Sequence, residues 1–126
     1  MSDDVIYGGQ DYIVPFSIPK ADGAMSKDTD FVDMYADVYG VSGTKYASYS
    51  LKSQPTGVKK ISFDGTDTFS IWIDSATTKL AIGDTLRCMI NAVTQVSVEL
   101  IADQRCNTPY TLDLPSVVEP PVEIKV

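Results

Sequence analysis

The segment "KKISFDGTDTFSIWID", residues 59–74, constrains the fold more tightly than any other part of the chain. Phe69, Ile71 and Ile73 alternate with Ser70, Trp72 and Asp74, and a strict period of two is the mark of a half-buried strand. Upstream, Ile61 and Phe63 lead into Asp64-Gly65, a pair whose tolerance of positive φ makes it a strong hairpin turn. Four residues, Asp64 to Asp67, separate the two strands and suit a loop built around a type I turn.

The same period recurs along the chain. In "DYIVPFSI", Tyr12, Val14, Phe16 and Ile18 share one face. Pro15, on the other, lacks an amide donor and argues for an edge strand or one that switches sheets. Asp22-Gly23 marks the loop that follows. In "FVDMYADVY", Val32, Met34, Ala36 and Val38 fall on the side expected to face the core, opposite Phe31, Asp33, Tyr35, Asp37 and Tyr39; the β-branched and aromatic content favours a strand. A weaker strand, "TKYASYSL", ends at Leu51. Leu86, Cys88, Ile90 and Ala92 alternate in another, Val96, Val98 and Leu100 in the next, and "YTLDL" completes the set. Seven or eight short strands with no convincing helix predict an all-β chain, an antiparallel β-sandwich with Greek-key or similar connections.

At 126 residues, 44% of them hydrophobic, the chain suits one domain with a real core. The expected division is an N-terminal extension over 1–10, the sandwich over 11–114 and an arm over 115–126, where Pro120-Pro121 precludes regular structure locally. Seventeen acidic against ten basic residues give a net charge of −7, which repels nucleic acid unless lysines cluster, and only Lys59-Lys60 are adjacent, with Lys52 nearby. The acidic start "MSDDVIYGG" lacks the features of a signal peptide, and no apolar run approaches the ~20 residues that span a bilayer. The expectation is a soluble protein made in a cytosol, without nucleic-acid or membrane partners. Cys88 and Cys106 lack CxxC spacing and are expected to be reduced, at least partly buried thiols.

No His is present, so Ser-His-Asp and Cys-His triads and His-containing metal sites are excluded. No acidic pair has flanking residues that mark a glycosidase. "KDTD" at 27–30 and "DGTD" at 64–67 have the oxygen ligands calcium takes, but both sit where turns use Asp and Gly. The sequence therefore predicts no enzyme, no metal and no cofactor.

Between the hairpin and the next strand lies "DSATTKLAIGD". A link that crosses between sheets needs a side chain to plug the end of the core, and Leu80 or Ile82 is expected to do this, with Thr77 and Thr78 bonding to backbone groups left unpaired. The succession Thr77, Leu80, Gly83 and the strand residue Leu86 resembles the "TxxLxxGxY"-like corner of immunoglobulin-like domains in tailed-phage virion proteins, such as the N-terminal domains of baseplate upper proteins. Asp84-Thr85-Leu86 stands where that pattern often has an aromatic. The resemblance covers roughly residues 11–112, and the whole chain also looks like small virion accessory proteins of crAss-like phages infecting gut Bacteroidetes. It implies an immunoglobulin-like sandwich with extended terminal arms. It also implies a non-enzymatic part of the virion, synthesised in the host cytoplasm, that decorates a capsid, forms a head fibre or joins a neck or tail ring. Its partners would be other virion proteins (major capsid, portal or tail proteins) and copies of itself.

Two features point to contact surfaces. Phe31, Tyr35 and Tyr39 share a strand face and Trp72 lies opposite its own strand's core residues. Aromatics with few lysines are what protein interfaces favour, although a loop or the arm of the same chain would equally cover such rings. A strip of this kind also suits sugar stacking, so a carbohydrate-binding module on Trp72 or Tyr35 is the alternative. In the arm, Val117, Val118, Val122 and Ile124 are too apolar for a solvating tail and suit strand addition to a neighbouring sheet edge.

Overall fold

A computed structural model describes residues 5–20, 23–94 and 110–120. Its elements are β1 (Ile6–Tyr7), β2 (Tyr12–Phe16), β3 (Phe31–Gly40), β4 (Lys45–Ser50), β5 (Lys59–Lys60), β6 (Ser62–Phe63), β7 (Phe69–Ile73), α1 (Ser75–Leu80), β8 (Thr85–Thr94) and β9 (Tyr110–Val118). The chain is an all-β sandwich of a six-stranded sheet, β1-β9-β8-β3-β4-β5, and a three-stranded sheet, β2-β7-β6. The expected alternation places Val14, Phe16, Met34, Ala36, Val38, Ile71, Ile73, Leu86, Cys88 and Ile90 between the sheets, all buried. Antiparallel pairing dominates, and two edge pairs, β1 with β9 and β4 with β5, are parallel.

Both sides of the sandwich are closed by chain that passes from one sheet to the other. Lys59–Lys60 pairs with β4 in the large sheet, the Ile61 amide donates to the Ser50 carbonyl at 2.8 Å, and Ser62–Phe63 then pairs with β7 in the small one. Ile61, at the crossing, is fully buried. On the opposite side β1 runs through a turn at Gly8 to Gln10 into β2. The extension expected over 1–10 therefore contributes Ile6, which is buried, to the large sheet. Pro15 sits on an edge strand, as its missing donor requires.

Three expectations are corrected. Phe31 is fully buried and Val32 is exposed, the reverse of the expected phase. Between Phe31 and Asp33 the chain advances two residues while β8 advances only one, from Thr94 to Val93. This β-bulge at Val32 shifts the alternation by one position and turns Phe31 inward. The link after β7 is a helix rather than irregular chain, because Asp74 caps it by accepting from the Thr77 amide at 2.9 Å. Leu80 does not plug the core: it is 75% exposed, Ala81 is buried and Ile82 is half-buried against the core.

Thr78 ties α1 to the β1–β2 turn, accepting from the Gly9 amide at 2.9 Å and donating to the Gln10 carbonyl at 2.8 Å. The Gly83-Asp84 turn is fastened in a related way. The Asp84 carboxylate accepts from the Ser42 hydroxyl, from Tyr46 Oη at 2.8 Å and from the Thr85 amide at 2.9 Å. The space it fills is Gly40's missing side chain, since a Cβ there would lie 1.8 Å from Asp84 Oδ2. Gly40→Ala should therefore cost about 1–3 kcal/mol, the usual range for overpacking, read as a lower urea midpoint. An unchanged midpoint would show that Asp84 is not held against Gly40.

Candidate interaction surfaces

The outer face of the large sheet is built by the residues of β3 that point away from the core. Tyr35 pairs with Ser50 of β4 and Asn91 of β8; Asp37 pairs with Ser48 and Met89; Tyr39 pairs with Lys45 and Arg87. Tyr35 is 44% exposed and Tyr39 half-buried. Local polar contacts fix the surrounding groups. Asp37 accepts from the Ser48 hydroxyl at 2.7 Å, the Lys45 ammonium lies 6.0 Å from the Tyr39 ring centre, and Arg87 pairs with Asp113 at 3.2 Å. The result is a strip with two phenols, beside which Asp37, Lys45 and Arg87 already have partners.

The outer face of the small sheet carries Trp72, 56% exposed, directly across from Ile13, 51% exposed. The next row is Pro15, Ser70 and Ser62. These five residues are uncharged in a chain of net charge −7. Exposed aromatics thus lie on both broad sides of the sandwich, facing opposite directions.

The remaining candidates are distributed differently. Phe31, expected on the outer strip, is core; its ring meets Phe69 edge-on at 5.8 Å between centres. Val117, expected in a free arm, is buried, because β9 continues through Pro115 to Val118 and pairs with β1 at Ile6 and Tyr7. Val118 is half-buried in the same pairing. Val122, Ile124, Val96, Val98, Leu100 and Cys106 lie outside the described residues. Cys88 is a fully buried free thiol, pushed up to about 12 by burial and by the Asp37 charge.

The acidic turns use their carboxylates internally. Asp64 accepts from the amides of Thr66, Asp67 and Thr68, and Asp30 from the Lys27 amide. Among the described residues no three or more Asp, Glu, Cys or His side chains gather to hold a metal. Sequence reasoning gave Asp33 only as an outward strand residue. It is 7% exposed, beneath the loop that follows β4, and accepts from the amides of Met34, Lys52 and Ser53 and from the Ser53 hydroxyl. Burial opposes its ionisation, but these hydrogen bonds outweigh burial and hold the carboxyl down to about 2. Asp74, bonded to Lys59 at 2.6 Å and to the cap of α1, is likewise held at about 2.

No protein-family model, curated protein or solved structure matches this chain.

Two measurements follow from these placements. Phe31→Ala should cost about 3–5 kcal/mol, as for a buried aromatic, and Tyr35→Ala less than about 1 kcal/mol; equal costs in urea titrations would contradict the bulge. Asp33 and Asp74 have folded-state values below the ordinary 3.8, so their stabilisation is complete above about pH 4 and is lost as pH falls toward 2. Asp33→Ala should lower stability by about 2–3 kcal/mol at neutral pH, by stranding amides, and should flatten the acid limb. A wild-type acid limb with its full steepness in the variant would contradict this.

Proposed function

We propose that this chain is a non-enzymatic structural protein of a tailed-phage virion, assembling through protein–protein contacts in a capsid decoration, a head fibre or a neck or tail ring. The observation that carries the assembly part of this reading is the strip of Tyr35 and Tyr39 on the outer face of the large sheet. Tyr is enriched at protein interfaces because it supplies a large apolar ring and one polar tip at low entropic cost. Its neighbours Asp37 and Arg87 are already paired, which reduces the desolvation cost of covering them. The second uncharged face, around Trp72, lets one copy touch neighbours on two sides. Repetition of contacts that are individually weak then gives a stable array. The virion setting rests on the corner Thr77, Leu80, Gly83 and Leu86 and on its resemblance to phage sandwiches.

The sheet edges support contacts through faces rather than through added strands. β1, β5 and β6 are two residues long, and β2 carries Pro15, which removes a donor from its edge. Short edges and edge prolines are the usual protection against strand addition.

The test is assembly. Light scattering after gel filtration should show the purified chain associating with itself or with capsid, portal or tail proteins of a phage that encodes it. The double variant Tyr35→Ala/Tyr39→Ala should weaken that association at least tenfold while leaving the urea midpoint nearly unchanged. A glycan array gives the contrary outcome: specific sugar binding lost in Trp72→Ala, with no protein association, would replace this reading by a carbohydrate-binding module.

A further inference from the structure

The outer face of the small sheet is made of two rows of unequal height. Trp72 on β7 and Ile13 on β2 stand side by side in one row; Ser70 on β7, with Pro15 and Ser62 on its two sides, makes the next. Residues 70 and 72 point the same way and lie about 7 Å apart along the strand, so a bulky row adjoins a low one. Trp72 and Ile13 are both more than half exposed. The backbone beneath them is fixed: Tyr49 Oη, from the large sheet, donates to the Trp72 carbonyl at 3.0 Å, and Ile71 and Ile73 on either side of Trp72 are fully buried.

Two properties of this face select its partner. The first is charge. Each copy carries −7, and bodies of like charge repel unless they meet where neither presents a carboxylate. All five residues of the two rows are uncharged. The second is shape. A two-fold axis lying between two such faces and perpendicular to the strands reverses the rows while keeping β7 over β7 and β2 over β2. Trp72 of one copy then lies over Ser70 of the other, and Ile13 over Pro15, so each bulky side chain meets a smaller one. Sheets packed face to face are about 10 Å apart, which holds one interdigitated layer of side chains. A two-fold contact is isologous, so the same fit is made twice.

We propose that two copies pack back to back through their small sheets, Trp72 of each over Ser70 of the other. This deepens the assembly reading above and rests on it, naming a second copy as the partner of the Trp72 face. The pair turns its two strips of Tyr35 and Tyr39 outward in opposite directions, so that one dimer bridges two neighbours. The contact is small. Three strands of at most five residues span no more than about 250 Å² per copy, against about 800 Å² per partner in a stable complex. A single contact is therefore weak, and repetition of both faces in an array gives it strength. The contact holds no ion pair for salt to screen, so added salt reduces only the repulsion between the copies and strengthens their association.

Trp72 is the chain's only Trp, so its fluorescence reports on this face alone. The experiment follows its emission and its quenching by acrylamide from micromolar to millimolar protein, at low and high salt. It adds sedimentation equilibrium of the full chain and of the variants Trp72→Ala and Ser70→Phe. The expected result is an emission that moves to the blue and a quenching that falls as concentration rises, more so in salt, with dimerisation at least tenfold weaker in both variants. Ser70→Phe separates shape from stickiness, because it adds apolar surface but fills the low row; stronger association in this variant would overturn the inference. So would Trp72 emission that is the same at micromolar and millimolar concentration, or that changes only when a glycan is added. Tyr35→Ala/Tyr39→Ala separates this inference from the reading beneath it. The Trp72 shift should persist in that variant; if it is lost there, the small-sheet contact falls and the tyrosine strip stands. If the variant still associates while Trp72→Ala does not, the small-sheet contact stands and the tyrosine strip falls.

Discussion

The two sheets are held together around the ring of Phe69. It lies within 5.6 Å of Phe16, 4.8 Å of Phe63 and 5.8 Å of Phe31, ring centre to ring centre. Phe16, Phe63 and Phe69 belong to the three strands of the small sheet, and Phe31 is the large sheet's contribution. Only four phenylalanines occur in the chain, and all four meet here. Offset and edge-on ring pairs add to the hydrophobic gain from burial, and their geometry dictates which way β3 must face at its first residue. The bulge at Val32 is the backbone's solution: it spends one residue of pairing to bring Phe31 inward and leaves Val32 in solvent.

At the corners the chain relies on short polar side chains that accept from backbone amides. Asp33 holds the loop after β4, Asp84 holds the turn into β8, Asp74 caps α1 and Thr78 links α1 to the β1–β2 turn. Each satisfies donors that sheet pairing leaves over, and a buried amide without a partner would cost about 1–3 kcal/mol. In the turns at 27–30 and 64–67, Asp30 and Asp64 likewise bond to amides of their own turns.

Among the described residues the edge strands are short or carry Pro15, so they offer little edge. What remains for contact is the sandwich's two broad faces. These faces lie on opposite sides of the molecule, one carrying Tyr35 and Tyr39 and the other Trp72. A body with two such faces can be covered from both sides.

The sequence specifies the sandwich through local signals. The period of two in β2, β3, β7 and β8, the Asp64-Gly65 turn and the edge position of Pro15 are local signals, because side-chain alternation and turn conformation are set by neighbouring residues along the chain. It also identified Tyr35 and Trp72 as outward aromatics. Where a decision depended on contact with a distant strand, sequence could not make it. A strand's phase before a bulge depends on its partner, so Phe31 and Val32 exchanged sides. Val117 was joined to β1 by pairing across more than a hundred residues, and the six-residue helix at Ser75 is too short to show a period of its own. The placing of Tyr35 and Trp72 on opposite faces exists only in three dimensions, since it is fixed by which strands share a sheet.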